Sequence, residues 1–84
     1  MIVDDVFFNI DILKDVMRQV LKINVDTDVV EAYNGKQAVL KYVSLHKQYN
    51  NKCPIEIILM DCDMPIMNGF RATEYILKYA KSQI

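Results

Sequence analysis

The stretch Ile55-Glu56-Ile57-Ile58-Leu59-Met60 constrains the fold of this chain more than any other. It is nearly all apolar and bounded by Pro54 and Asp61. Such a run suits a parallel strand covered on both faces. Parallel strands need crossover connections, so the flanking sequence must supply helices. It does. From Phe8 to Lys22, apolar residues recur at Ile10, Leu13, Met17, Val20 and Leu21, a helical period. Ala38, Val39, Tyr42, Val43 and His46 line one face of a second helix. Asn68 is placed to cap a third, with Phe70, Thr73, Ile76, Leu77 and Ala80 on its inward side.

Two further strands complete the alternation. Met1 to Val3 is an apolar stub ending in two acids, and Val25 to Ala32 is rich in β-branched residues. Asn34-Gly35 forms a turn. The order βαβαβα predicts an α/β fold with a parallel sheet and right-handed crossovers. The 84 residues allow one small domain, and the 52% hydrophobic content supports a core.

Composition excludes several classes of function. The net charge of −1 carries no basic surplus, and Lys41, Lys47 and Lys52 are dispersed, so a nucleic acid is not the expected partner. Cys53 and Cys62 are too few for a disulfide framework and make no metal-ligand spacing. Their expected state is that of reduced thiols, with Cys62 a small buried residue. No apolar run approaches membrane-spanning length, and acids stand where a signal peptide needs basic residues. The expectation is a cytoplasmic protein.

In an open parallel sheet, ligands sit beyond the carboxyl ends of the strands. The first strand ends at Asp4-Asp5 and the third at Asp61. If these strands are neighbours, three carboxylates meet at one rim. Their mutual repulsion calls for a divalent cation. Mg²⁺ suits such a set, because it accepts one or two carboxylates and leaves room for phosphate oxygens. A phosphoryl group there is open to in-line attack by a carboxylate. Taken singly, the pieces have plainer readings. Asp4-Asp5 ahead of a helix also compensates a helix dipole, and Asp61 also starts a loop.

Three blocks together resemble a known family. Ile2-Val3-Asp4-Asp5, Asn34-Gly35-Lys36-Gln37-Ala38, and Leu59-Met60-Asp61 followed by Met64-Pro65-Ile66-Met67-Asn68-Gly69-Phe70 resemble response-regulator receiver domains of two-component phosphorelays. They look most like those attached to hybrid histidine kinases. The resemblance implies a flavodoxin-like fold, here a partial receiver domain spanning 1–84. The last two strands and helices are not represented, and with them a Ser/Thr and a Lys that would contact the phosphoryl group. Lys78 and Lys81 instead fall on the third helix.

The resemblance also implies roles. Asp61 would accept a phosphoryl group from phosphohistidine on a histidine kinase or histidine phosphotransfer domain. Mg²⁺ would be held by Asp5, Asp61 and the backbone carbonyl of Asp63, with Asp4 acting through water. Met64 and Pro65 would shape the loop, and Gly69 would let the third helix start close to the site. The side chain of Asp63 would face the phosphoryl group and alter its lifetime. The chain would be a signalling module and not an enzyme.

Rival readings remain on the same residues. Asp61-Cys62-Asp63 fits the Asp-x-Asp of haloacid-dehalogenase-type enzymes, but Pro65 stands where that motif needs Thr or Val. A calcium loop starting at Asp61 fails at Pro65, Ile66 and Ala72. A non-phosphorylated interaction module of receiver shape, or an inactive fragment, is the serious alternative. Ile12 and Val16 form a second apolar stripe on the first helix, open to reading as core or as a docking surface. His46 is expected on the surface or half-buried. An exposed edge on the third strand predicts self-association.

Overall fold

The computed structural model describes residues 1–83. Its elements run β1 (Ile2–Val3), α1 (Phe7–Val20), α2 (Val25–Asp28), β2 (Glu31–Ala32), α3 (Gly35–Gln48), β3 (Leu59–Met60) and α4 (Gly69–Ser82). The strands form one parallel sheet in the order β2-β1-β3. This is an α/β fold with the first three strand positions of the flavodoxin-like order. Among the described residues, no helix is long and apolar enough to cross a membrane.

β1 is the middle strand, and its register fixes the rest. Ile2 lies opposite Glu31 on one side and Leu59 on the other; Val3 lies opposite Ala32 and Met60. Backbone bonds extend both ladders, with Ile2 N–H donating to Val30 O and Asp4 N–H to Ala32 O. Leu59 N–H donates to Met1 O and Asp61 N–H to Val3 O. Ile2 and Val3 are each 1% exposed. Strand alternation sends Val3 into a cluster with Ala32, Ala38 and Met64, beside Ile58 and Met60. Ile2 lines the opposite face with Met17 of α1 and Leu21, which follows that helix.

Each long helix begins for a local reason. Asn34 and Asn68 accept hydrogen bonds from Gln37 N–H and Arg71 N–H, both at 2.9 Å, and so cap α3 and α4. The Gln37 side chain in turn accepts from Tyr33 N–H at 2.9 Å, a variant of the capping box. Asn34-Gly35 is therefore a helix start and not the turn expected from sequence. α1 has no side-chain bond from its N-cap residue, Val6. Its first turn is held by Asp4, as described below.

The Val25–Ala32 segment differs from expectation. Only Glu31–Ala32 is strand; Val25–Asp28 is a helical turn. Asn24 caps this turn by accepting from Asp26 N–H, and Asp26 and Asp28 suit the positive end of its dipole. Polar capping outweighs the β-branched composition there.

β3 also departs from the doubly covered strand. Only Leu59–Met60 pairs with β1, and Ile57 is 69% exposed. α4 lies beside one face, where Ile58, Met60, Thr73, Ile76 and Leu77 line an open cavity of about 140 Å³. On the other face an open, mainly apolar cavity of about 690 Å³ runs from Met17 and Leu21 to Ile55 and Ile57. Val20 and Leu21, assigned inward by their spacing, are exposed.

α4 packs on α3 through Ala72 and Ile76, which are buried, and Tyr79 and Ala80, which are half-buried. Phe70, Thr73 and Leu77 are exposed, so the inward face is rotated from the predicted one. Tyr79 explains the rotation. Its hydroxyl lies 3.1 Å from His46 Nδ1, and its ring stands edge-on to His46 and Tyr42. His46 is 5% exposed, deeper than the half-buried position expected, and it serves the α3–α4 seam.

Lys14 and Glu31 tie α1 to β2 with an ion pair of 2.5 Å, and the Tyr33 hydroxyl donates to the second Glu31 oxygen. The Lys14 bond, reinforced by Tyr33, holds the Glu31 carboxyl below the usual carboxylate range. The same bond raises Lys14. Glu31 therefore adds stability above the pH at which unfolded glutamates titrate, and loses it as pH falls through its lowered folded value. The Lys14 contribution persists through neutral pH and fades in the alkaline range. The parent is expected to exceed Glu31→Gln in urea midpoint at pH 7, with the gap closing in acid once Glu31 is protonated in both states.

Candidate functional site

The site is assembled by the register of β1 with its neighbours. Because β1 and β3 run parallel and in step, their carboxyl ends emerge side by side. Asp4 and Asp5 leave β1, and Asp61 leaves β3. One carboxylate oxygen from each lies within 4.8 Å of the others. Asp4 and Asp61 are half-buried and Asp5 is exposed.

The three acids are not equivalent. Asp4 Oδ1 accepts from Val6 N–H at 2.9 Å, and its Oδ2 accepts from the Asn9 side chain at 3.2 Å. It therefore fixes the chain's entry into α1 by local hydrogen bonds to Val6 and Asn9. Asn9 is a contributor that sequence reasoning missed; its only signal was its place five residues after Asp4. Among the described residues, no donor is bonded to the Asp5 or Asp61 carboxylates. Those two are open to an external cation or acceptor.

Asp63 is exposed and its side chain does not join the cluster. Cys62 is exposed as well, against the expected burial. It starts a loop that the backbone holds tightly, since Cys62 O accepts from Gly69 N–H at 3.0 Å. Met64 is buried against Val3, Ala32 and Ala38, so it plugs the core directly under the site. Ile66 has φ 69°, and Met67 N–H donates to Pro65 O at 2.7 Å. That three-residue turn has the rarer hand, an unfavourable conformation for a β-branched residue.

Two glycines allow the loop to close. A Cβ on Gly69 would collide with the Asp61 carbonyl, and one on Gly35 with the Met67 carbonyl. Gly35 N–H donates to that same Met67 oxygen at 3.0 Å. The starts of α3 and α4 thus clamp the loop from both sides. The donor set fits a hard divalent cation: all ligands are oxygens, two carboxylates are free, and the rim is open to water.

Comparison with known proteins agrees with this picture. The Arabidopsis thaliana protein named two-component response regulator 24 is 39% identical over 74 residues, covering 88% of this chain and 45% of that protein. A protein-glutamate methylesterase/protein-glutamine glutaminase from Methanococcus maripaludis is 34% identical over 84 residues, covering all of this chain and 20% of that protein. A protein of the same name, numbered 1, from Methanosarcina acetivorans is 35% identical over 78 residues, covering 92% and 19%. The chain thus spans less than half the length of these curated relatives. No family model matches it, and no solved structure does.

The collision at Gly69 gives a direct test of how the loop is held. Gly69→Ala is expected to lower stability by about 1–3 kcal/mol, the usual cost of overpacking. Urea unfolding followed by circular dichroism measures it.

Proposed function

We propose that this chain is a receiver-type phosphoacceptor module of a two-component system, with Asp61 as the accepting residue. The observation that carries the reading is the convergence of Asp4, Asp5 and Asp61 at the carboxyl edge of the sheet. The similarity to a two-component response regulator supports it independently.

The chemistry follows from the free carboxylates. An Asp61 oxygen attacks phosphorus in line, a P–O bond forms, and the P–N bond of a phosphohistidine donor breaks. The imidazole leaves with the electron pair and the product is an acyl phosphate on Asp61. Asp5 and Asp61, with the Asp63 backbone carbonyl and Asp4 through water, would hold Mg²⁺, which would supply charge neutralisation at the phosphoryl oxygens. Asp4, kept in place by Val6 and Asn9, orients the start of α1 beside the site.

The donor would be a histidine kinase or a histidine phosphotransfer domain. The surface beside the acids suits such a partner. Phe7, Phe8, Ile12 and Val16 of α1 are all exposed. This resolves the second stripe of α1 as surface and not core, and an apolar helix face of this kind fits against a partner helix. The same exposure favours a second reading, a docking module that needs no phosphorylation.

The test uses a small acyl phosphate with Mg²⁺ and records intact mass. The parent is expected to gain one phosphoryl group and Asp61→Asn none. Asp5→Asn should react at least about tenfold more slowly, the order of loss seen when even outer-shell metal partners are removed. A folded parent that gains no mass removes the phosphoacceptor reading and leaves the docking module.

A further inference from the structure

The chain holds two glycines, and each follows an asparagine, as Asn34-Gly35 and Asn68-Gly69. Asn-Gly is the dipeptide at which asparagine most readily loses its amide. The glycine nitrogen attacks the asparagine side-chain carbon, and a residue without a Cβ hinders that approach least. Both pairs begin helices, and both grip the loop after β3. Gly35 N–H donates to Met67 O and Gly69 N–H to Cys62 O, each at 3.0 Å.

Three features of the fold block the reaction at each pair. The attacking nitrogen must first lose its proton, yet Gly35 and Gly69 are buried and that proton lies in the bond to the loop. The Asn34 and Asn68 side-chain oxygens accept from Gln37 N–H and Arg71 N–H at 2.9 Å, which ties each amide to its own helix. Ring closure also requires the side chain and the next nitrogen to eclipse about the Cα–C bond. At ψ 171° for Asn34 and 167° for Asn68 they are staggered. Rotation to the closing angle moves the glycine N–H off its loop carbonyl. The chemistry therefore waits on the opening of the clamp.

We infer that Asn34-Gly35 and Asn68-Gly69 are latent deamidation sites, held unreactive by their clamps on the loop and released when the loop opens. The step needs only water. The glycine nitrogen gives its proton to solvent and forms a bond to the asparagine Cγ. The bond from Cγ to Nδ2 breaks, Nδ2 takes a proton from solvent, and ammonia leaves. Water then opens the five-membered cyclic imide at either carbonyl, leaving aspartate or isoaspartate; nothing is oxidised or reduced. The two products differ in effect. Aspartate keeps the cap, since it serves there as well as asparagine. Isoaspartate routes the main chain through Cβ, and the added methylene displaces the glycine from its loop carbonyl. The left-handed turn at Ile66 then loses the surroundings that hold it. A transient opening of the rim beside Asp61 is thereby fixed in the covalent chain.

The inference is independent of the phosphoacceptor reading, because it uses none of the acid carboxylates. Timed incubation of the chain at neutral pH, folded and in unfolding urea, tests it, with peptide mapping by mass spectrometry as the readout. In urea, Asn34 and Asn68 are expected to lose their amides faster than Asn9, Asn24, Asn50 and Asn51. In the folded chain both should react at least about tenfold more slowly than in urea, because the rate is scaled by the fraction of open molecules. Gly69→Ala sets a Cβ against the Asp61 carbonyl and so loosens the loop, while the Asn34-Gly35 pair stays intact. It should speed the loss at Asn34 about fivefold or more in the folded chain, the least that a destabilisation of this kind produces. Its Asn34 rate in urea should match the parent's. Equal rates for the folded and unfolded parent at Asn34 and Asn68, or no lead of these two over the other asparagines in urea, overturn the inference. A folded Gly69→Ala variant with the parent's rate at Asn34 overturns the clamp as the cause of protection.

Discussion

Everything in this small fold hangs on the pairing of Ile2 and Val3 with strands on both sides. These two residues are almost fully buried, and burial of each such side chain is worth about 1.5–3 kcal/mol. Their parallel register aligns the carboxyl ends of β1 and β3. The acids that follow have no freedom to separate. Chain connectivity sets Asp4 and Asp5 at one strand end, and the ladder bond from Asp61 N–H to Val3 O sets Asp61 beside them. The cluster is thus a consequence of the central strand, held against the mutual repulsion of its charges.

The loop after β3 is the second constraint. It is clamped by backbone bonds at Gly35 and Gly69, plugged from below by Met64, and turned through Ile66 in a left-handed conformation. A conformation of that kind costs about 1–3 kcal/mol and persists only where its surroundings over-determine it. The two glycines and the buried methionine supply that over-determination. The result is a rigid rim next to two carboxylates that carry no protein donor.

The legible parts of the sequence were those written in local chemistry. Asn68 ahead of a helical period gave the cap of α4, and the acids after Val3 and Met60 marked the strand ends that meet. The rest depended on partners that spacing does not reveal. Val25–Asp28 is β-branched enough to suggest a strand, yet the Asn24 cap and the two aspartates favour a helical turn. The inward face of α4 could not be found from periodicity, because its rotation is set by Tyr79 meeting His46 across the α3–α4 seam. Asn34-Gly35 has the composition of a turn, and only the packing of Gly35 against the Met67 carbonyl shows why the glycine is there. Division of labour among the acids was hidden as well, since it rests on the Asn9 amide reaching Asp4.

The central claim is that Asp61, and no other acid of the cluster, accepts the phosphoryl group. Reductive trapping with borohydride after treatment with an acyl phosphate and Mg²⁺ tests it most directly, because it converts an aspartyl phosphate to homoserine in place. Tandem mass spectrometry then locates the altered residue. The account predicts homoserine at position 61 alone. Homoserine at position 4, 5 or 63, or none in a folded sample, would contradict it.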